Sequence, residues 1–206
     1  MTTEQTVFVV EDDARMCAAI ELLLRTGGYK VRSYPNAEAM LRSANPENQK
    51  RALQSICLVT DIRLPGMDGL ALHRRLVAIG AAPATVMITG HGDIPLAVAA
   101  LKEGVVDFLE KPFHPPLLLE SVKEASRRAL AVRDHELKKA DRKLRLDTLT
   151  PREAEILDLL VEGQPSKIVA SRLGIGVRTA EHHRARIMEK LGAPTTARLI
   201  SMMSAI

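Results

Sequence analysis

The chain has 206 residues, 46% of them hydrophobic and 26% charged, which suits one large domain or two small ones of the ordinary globular kind. Aromatics are only 2%, with no Trp, so any core is aliphatic and a reader that stacks bases on aromatic platforms is not expected. The net charge is +4, and no apolar run approaches the ~18 residues of a membrane-spanning helix, so neither a transmembrane segment nor a membrane partner is expected.

Charge is unevenly spread. Residues 1–120 carry 12 basic and 14 acidic residues, a net of −2; residues 121–147 carry 9 and 5, a net of +4; residues 148–206 carry 8 and 6, a net of +2. An acidic front and a basic back fit a polyanion partner for the back, or simply a solvated charged linker helix. Cys17 and Cys57 each sit among apolar residues and read as small hydrophobes, not as a disulfide or metal pair. Met1 to Val10 has no cationic leader before its short apolar run, so a cytoplasmic location is expected.

Short apolar runs at Val7–Val10, Tyr29–Tyr34, Ile56–Thr60, Ala84–Thr89 and Val105–Leu109 read as buried parallel strands. Helical patterns lie between them near Ala14–Thr26, Asn36–Ser43, Leu70–Ile79 and Ile94–Glu103, and a fifth helix starts near Pro116. Asn45–Ser55 reads as an exposed loop. Five strand–helix pairs imply an α/β fold, a doubly wound five-stranded parallel sheet with helices on both faces. Ligands bind such sheets beyond the carboxyl ends of the strands.

Residues 118–146 contain no Gly or Pro and read as further helix. Leu130, Leu137 and Leu144 are spaced by seven, which fits a short coiled-coil seam or one solvated linker helix. The remainder reads as four short helices. Thr150-Pro151-Arg152-Glu153 is a helix start, and that helix ends at Gly163. The next runs from about Ser166 to Leu173, then comes a Gly-Ile-Gly turn. A longer helix spans about Val177 to Leu191, and Thr195 or Thr196 opens the last.

Chemistry collects at the strand ends. Glu11-Asp12-Asp13 follow the first strand, Asp61 the third, Thr89 the fourth and Lys111-Pro112 the fifth. Gathered carboxylates repel and call for a cation, and hard oxygen ligands with open water positions suit Mg²⁺. A carboxylate beside such an ion can attack phosphorus. Lys111 supplies charge for phosphoryl oxygens, and the Thr89 hydroxyl can donate to one. Taken singly, an Asp after a strand is commonly a helix cap and Lys-Pro only a turn. Their coincidence on one sheet edge favours a site.

Residues 1–120 resemble the receiver domain family of two-component signalling. The likeness is carried by Val-Val-Glu-Asp-Asp (9–13), Asp-Ile-Arg-Leu-Pro-Gly-Met-Asp-Gly (61–69), Ile-Thr-Gly-His-Gly-Asp (88–93) and Asp-Phe-Leu-Glu-Lys-Pro-Phe (107–113). That resemblance implies that Asp61 accepts a phosphoryl group from a histidine kinase. It implies that Asp12, Asp61 and the Arg63 carbonyl hold Mg²⁺, with Glu11 behind them where the family usually has Asp. It also implies a switch pair at Thr89 and Phe108, acting by packing because Phe108 lacks a hydroxyl, and a cis Lys111–Pro112 bond.

Ser166–Leu191 has the helix–turn–helix layout, whose second helix enters the major groove. On a helical wheel Ala180, His183, Ile187 and Leu191 form the inward stripe. The other side presents Arg178, Glu181, His182, Ala185 and Arg186, with Arg184 and Lys190 at the margins. An ordinary solvated face would look the same. Adjacent His182 and His183 point about 100° apart and make a poor chelate; His183 reads as semi-buried, and His91 and His114 have no ligand set.

Residues 148–200 resemble the LuxR-type helix-turn-helix family through Leu-Thr-Pro-Arg-Glu (149–153), Glu-Gly (162–163), Ser-Lys-Ile-Val-Ala (166–170), Leu-Gly-Ile (173–175), Arg-Thr-Ala-Glu-His-His-Arg (178–184) and Ile-Met-Glu-Lys-Leu-Gly-Ala (187–193). With the receiver, the pairing most resembles the FixJ subgroup of the NarL/FixJ family. The resemblance implies that Lys167, Thr179 and Arg186 touch the DNA backbone and that Glu181, His182 and Ala185 face bases. Pro165 stands where the family usually has a capping Ser, so Gln164 or another group is expected to satisfy those amides.

The expected organisation is a receiver (1–120), a helical linker continuing its last helix (121–147) and an all-α four-helix DNA-binding domain (148–206). The expected activity is a phosphorylation-controlled transcription regulator, not an enzyme. Its expected partners are a cognate histidine kinase, double-stranded promoter DNA, a second copy of the chain and RNA polymerase. The alternatives are a constitutive DNA binder or adaptor, and a phosphatase turning over through an aspartyl phosphate. Against the phosphatase, Arg63 stands two after Asp61 where a general acid is needed, and no cap segment is evident.

Overall fold

A computed structural model describes residues 5–43, 56–90 and 94–204. The loop expected at Asn45–Ser55 and the ligand reading of His91 lie outside the described residues. The chain divides into two compact units, Met1–His135 and Glu136–Ile206.

The first unit holds strands β1 (Thr6–Val10), β2 (Lys30–Tyr34), β3 (Cys57–Asp61), β4 (Ala84–Thr89) and β5 (Asp107–Glu110). They form one parallel sheet in the order β2-β1-β3-β4-β5. Helices α1 (Ala14–Thr26), α2 (Ala37–Ser43), α3 (Gly69–Ala78), α4 (Ile94–Lys102) and α5 (Pro115–Leu146) follow the strands. The expected doubly wound α/β fold is present.

Strand parity explains both layers. Val7 and Val9 of β1 pack with Ile20 and Leu24 of α1 and with Leu118 and Val122 of α5. Phe8 and Val10 turn to the opposite face, against Met40 of α2 and Leu72 and Leu76 of α3. A strand buried on both faces must be apolar at every position, which is why the central runs do not alternate.

Only β4 keeps both expected limits; the other strands shift by one or two residues at one end or both, and two of those shifts bear on the site and core. β3 ends at Asp61, which pairs with Ile88, so the carboxylate belongs to the last strand residue. β5 begins at Asp107, not Val105. Val105 is apolar because it fills a core cluster with Ile62, Leu70, Met87 and Ala100, ahead of the ladder.

In the second unit, α6 (Pro151–Val161), α7 (Ser166–Leu173), α8 (Val177–Leu191) and α9 (Thr196–Ser204) enclose an aliphatic core that includes Ile156, Leu160, Val169, Ile187 and Leu199. Thr150 and Glu153 form a complete capping box at the start of α6, which ends at Val161, two residues before the expected Gly163. Pro165 precedes α7 with no side-chain cap, so of the two alternatives, Gln164 or another group, the Gln164 side chain is not the one. The Pro165 carbonyl instead accepts from the Ile168 and Val169 amides, at 2.9 and 3.1 Å.

One buried polar group ties the first unit's second face together. The His73 ring on α3 meets Thr85 Oγ1 of β4 at 3.0 Å and the Glu103 carbonyl at the end of α4 at 3.2 Å. Burial holds the His73 pKa below its ordinary value, against the pull of the Glu103 carbonyl and carboxylate. The unfolded chain therefore binds a proton that the folded chain refuses. Stability is complete above the unfolded histidine pKa of about 6.5 and falls as pH drops below it. Urea unfolding across this range should show a loss of at most about 1.4 kcal/mol per pH unit from this group. His73→Gln should flatten that part of the profile; an unaltered slope would contradict the assignment.

Candidate metal centre and nucleic-acid interface

Because β1, β3, β4 and β5 are adjacent and parallel, the residues at their carboxyl ends meet on one edge. One oxygen from each of Glu11, Asp12 and Asp61 lies within 4.8 Å of the others. Glu11 and Asp61 are buried, at 3% and 6% exposure, whereas Asp12 faces solvent. Lys111 reaches into the cluster from the end of β5. Its Nζ donates to Glu11 Oε2 at 2.7 Å and to Asp61 Oδ2 at 2.6 Å. Its backbone N–H donates to the Thr89 carbonyl at 2.6 Å, which ties the lysine to β4. The Lys111–Pro112 bond is cis, as the resemblance implies.

The electrostatics follow from burial and pairing. Burial raises the Glu11 pKa, and the Lys111 hydrogen bond and charge only partly oppose it. Burial also works against the Lys111 ammonium, but the hydrogen bonds to Asp61 and Glu11 prevail and raise its pKa. The lysine is thus held charged among the acids.

The acids divide by role. Asp13 is the N-cap of α1, and its Oδ1 accepts from the Arg15 and Met16 amides at 2.8 and 3.1 Å. Those bonds lower its pKa. Asp68 caps α3 in the same way, accepting from the Ala71 amide. Asp61 caps no helix: its Oδ1 accepts from the Arg63 amide at 2.8 Å, and its Oδ2 takes the Lys111 ammonium. A set of carboxylate oxygens with one side open to water suits a hard divalent cation.

Thr89, at 1% exposure, ends β4. Phe108 is partly buried against the cluster of Ile62, Leu70, Met87, Ala100 and Val105.

Two supporting residues escaped the sequence reading. Gly69 opens α3 directly over the end of β3, and any Cβ there would collide with the Asp61 carbonyl. Glu38 of α2 accepts from the Met67 amide at 3.0 Å, and a Cβ on Gly66 would lie 2.8 Å from its Oε1. Glu38 therefore pins the loop that carries Arg63. Gly66 and Gly69 lie in the motif at 61–69 that carries the receiver resemblance, but nothing local marks their packing or the Glu38 partner 29 positions before Met67.

On α8 the buried stripe is Ala180, Ile187 and Leu191. His183 is half-buried, and its Nδ1 is enclosed without a partner. Arg178, Thr179, Glu181, His182, Ala185 and Arg186 are exposed, as is Lys167 on α7. The two marginal cations have internal partners. Lys190 Nζ contacts Glu153 Oε2 at 2.5 Å and the Thr148 carbonyl at 3.0 Å, which ties it to the α6 capping box. Arg184 donates to Thr196 Oγ1 of α9.

Residues 7–123 match the model of the response regulator receiver domain, and residues 147–203 match that of the bacterial regulatory proteins of the luxR family. The class is thus a receiver joined to a LuxR-type helix-turn-helix. The chain is 37% identical over 200 residues to the transcriptional regulatory protein FixJ of Rhizobium meliloti, covering 97% of this chain and 95% of that one. Among solved structures it is similar to the response regulator StyR, with TM-score 0.86, 35% identity and coverage of 99% and 100%. It is also similar to full-length FixJ from B. japonicum, with TM-score 0.57, 35% identity and coverage of 98% and 97%. The chain belongs to the response-regulator family of transcription regulators, in its FixJ subgroup. That family is not an enzyme class. Among the described residues no helix is long and apolar enough to cross a membrane.

The packing of Gly69 yields a direct test. Gly69→Ala forces a methyl group against fixed backbone, and overpacking of this kind costs about 1–3 kcal/mol. Urea titration should register that loss in the first unit's transition; a variant as stable as the native protein would show that the helix start yields freely.

Proposed function

We propose that this protein is a phosphorylation-controlled transcription factor whose input is Asp61 and whose output is α8. One observation carries the reading: Lys111 spans Glu11 and Asp61 beside the exposed carboxylate of Asp12. The oxygens of Asp12 and Asp61 and the Arg63 carbonyl would hold Mg²⁺, with Glu11 behind them. That ion supplies charge for the oxygens of an incoming phosphoryl group.

In the proposed transfer, an Asp61 carboxylate oxygen attacks the phosphorus of a phosphohistidine on a partner kinase. A P–O bond forms, the P–N bond breaks, and the histidine nitrogen leaves with the electron pair. The Lys111 ammonium exchanges a carboxylate for a phosphoryl oxygen. The Thr89 hydroxyl donates to another, and Phe108 repacks in the cluster beneath α4. Leu96, Val98 and Leu101 of α4 are 39–48% exposed, which supports a face on which two phosphorylated chains pair. A dimer presents two α8 helices to adjacent half-sites of promoter DNA.

On the DNA, Lys167, Arg178, Thr179 and Arg186 contact phosphates, and Glu181, His182 and Ala185 face base edges. Arg184 and Lys190 act inside the unit.

Incubation with a small phosphodonor and Mg²⁺ should label the native chain. Asp61→Asn and chelation of Mg²⁺ should each abolish the label; label retained in the variant would mean the acceptor lies elsewhere. Salt titration of DNA binding gives a second test. Alanine at Lys167, Arg178 or Arg186 should reduce the slope of log K against log salt by about 1 per residue, while Lys190→Ala should leave that slope unchanged. A reduced slope for Lys190→Ala would place this lysine on the DNA.

A further inference from the structure

Resting on the reading of α8 as the DNA-facing helix, one residue on it makes a sharper statement about the target. Glu181 is the only acid in the first three turns of α8, and it is exposed on a face with Arg178 and Arg186. Arg178 and Arg184 stand three residues to either side, within reach for an i,i+3 pair. Arg184 gives its guanidinium to Thr196 instead. Among the described residues Glu181 has no hydrogen bond or ion pair.

A carboxylate pressed toward a duplex is repelled by the phosphates and loses its water. With Arg184 engaged by Thr196 and no ion pair from Arg178 among the described residues, a donor on the DNA is what offsets that cost, since an unpaired desolvated charge is strongly unfavourable. In the major groove the base donors are the N4 amino group of cytosine and the N6 amino group of adenine. Adenine flanks its amino group with its own N7 acceptor, which repels a carboxylate, whereas cytosine presents no acceptor on its own edge. Ala185, one turn further along the same face, is exposed and small, so nothing bulky holds the helix away from the base edges.

We propose that Glu181 accepts a hydrogen bond from a cytosine amino group and thereby sets one base of each half-site. The carboxylate acts as a specificity element that discriminates among duplexes, while the neighbouring arginines supply sequence-independent attraction.

The test is selection of binding sites from a random duplex pool by the full-length chain, with and without a small phosphodonor. The native protein should recover a motif with an invariant cytosine in each half-site. Glu181→Ala should recover the same motif with that one position degenerate. Glu181→Gln should move the preference there to adenine, because an amide pairs with both N6 and N7. Replacing the cytosine in the recovered site should weaken the native protein about tenfold, and Glu181→Ala by less than twofold. An identical motif from Glu181→Ala, or an invariant base other than cytosine at the affected position, overturns this assignment alone. A native pool with no motif at all overturns the DNA-binding reading and this assignment with it.

Discussion

The structure turns on one half-buried cation, Lys111. Three carboxylates converge within 4.8 Å at the edge of a sheet, two of them almost fully enclosed. At an effective dielectric near 20, unit charges about 4 Å apart repel by about 4 kcal/mol. Compensating positive charge relieves that repulsion. Lys111 supplies it through two short hydrogen bonds, and those bonds keep its ammonium charged despite burial. The strand order is what makes this possible, since the central position of β1 and β3 brings both acids beside a lysine carried 100 and 50 residues away in sequence. The sheet is in this sense arranged to hold an electrostatic imbalance at one edge.

The surrounding parts keep that edge rigid without joining its chemistry. Asp13 and Asp68 spend their carboxylates on helix amides. Gly69 lets α3 start in contact with the Asp61 carbonyl, and Glu38 fixes the loop between them. The second unit follows the same economy. Its Lys190 and Arg184 have internal partners, whereas Lys167 on α7 and Arg178 and Arg186 on α8 are exposed. The proposed DNA face is therefore narrower than a count of basic residues suggests.

Much of this was legible in the sequence. Continuous apolar runs announced strands buried on both faces, and residue types at their ends announced the acid cluster and its lysine. The capping box at Thr150 and Glu153 was equally plain, because its spacing is local. What was hidden depended on contacts distant in sequence. Glu38 looks like an ordinary helical residue until the chain folds it onto Met67, and the pairing of Lys190 with Glu153, 37 residues earlier, is equally invisible in the sequence. Val105 and Val106 read as strand because apolar periodicity does not distinguish a ladder residue from one that plugs a core beside the ladder. In the same way, sequence spacing placed Asp12 and Asp13 side by side without saying which one caps the helix.

That last distinction gives the most direct measurement of the central claim. Calorimetric titration of the full-length protein with Mg²⁺ should reveal a single saturable site. Its heat should vanish in Asp12→Asn and survive in Asp13→Asn, where the amide oxygen still caps α1. An Asp12→Asn protein that binds the ion as the native chain does would contradict the account.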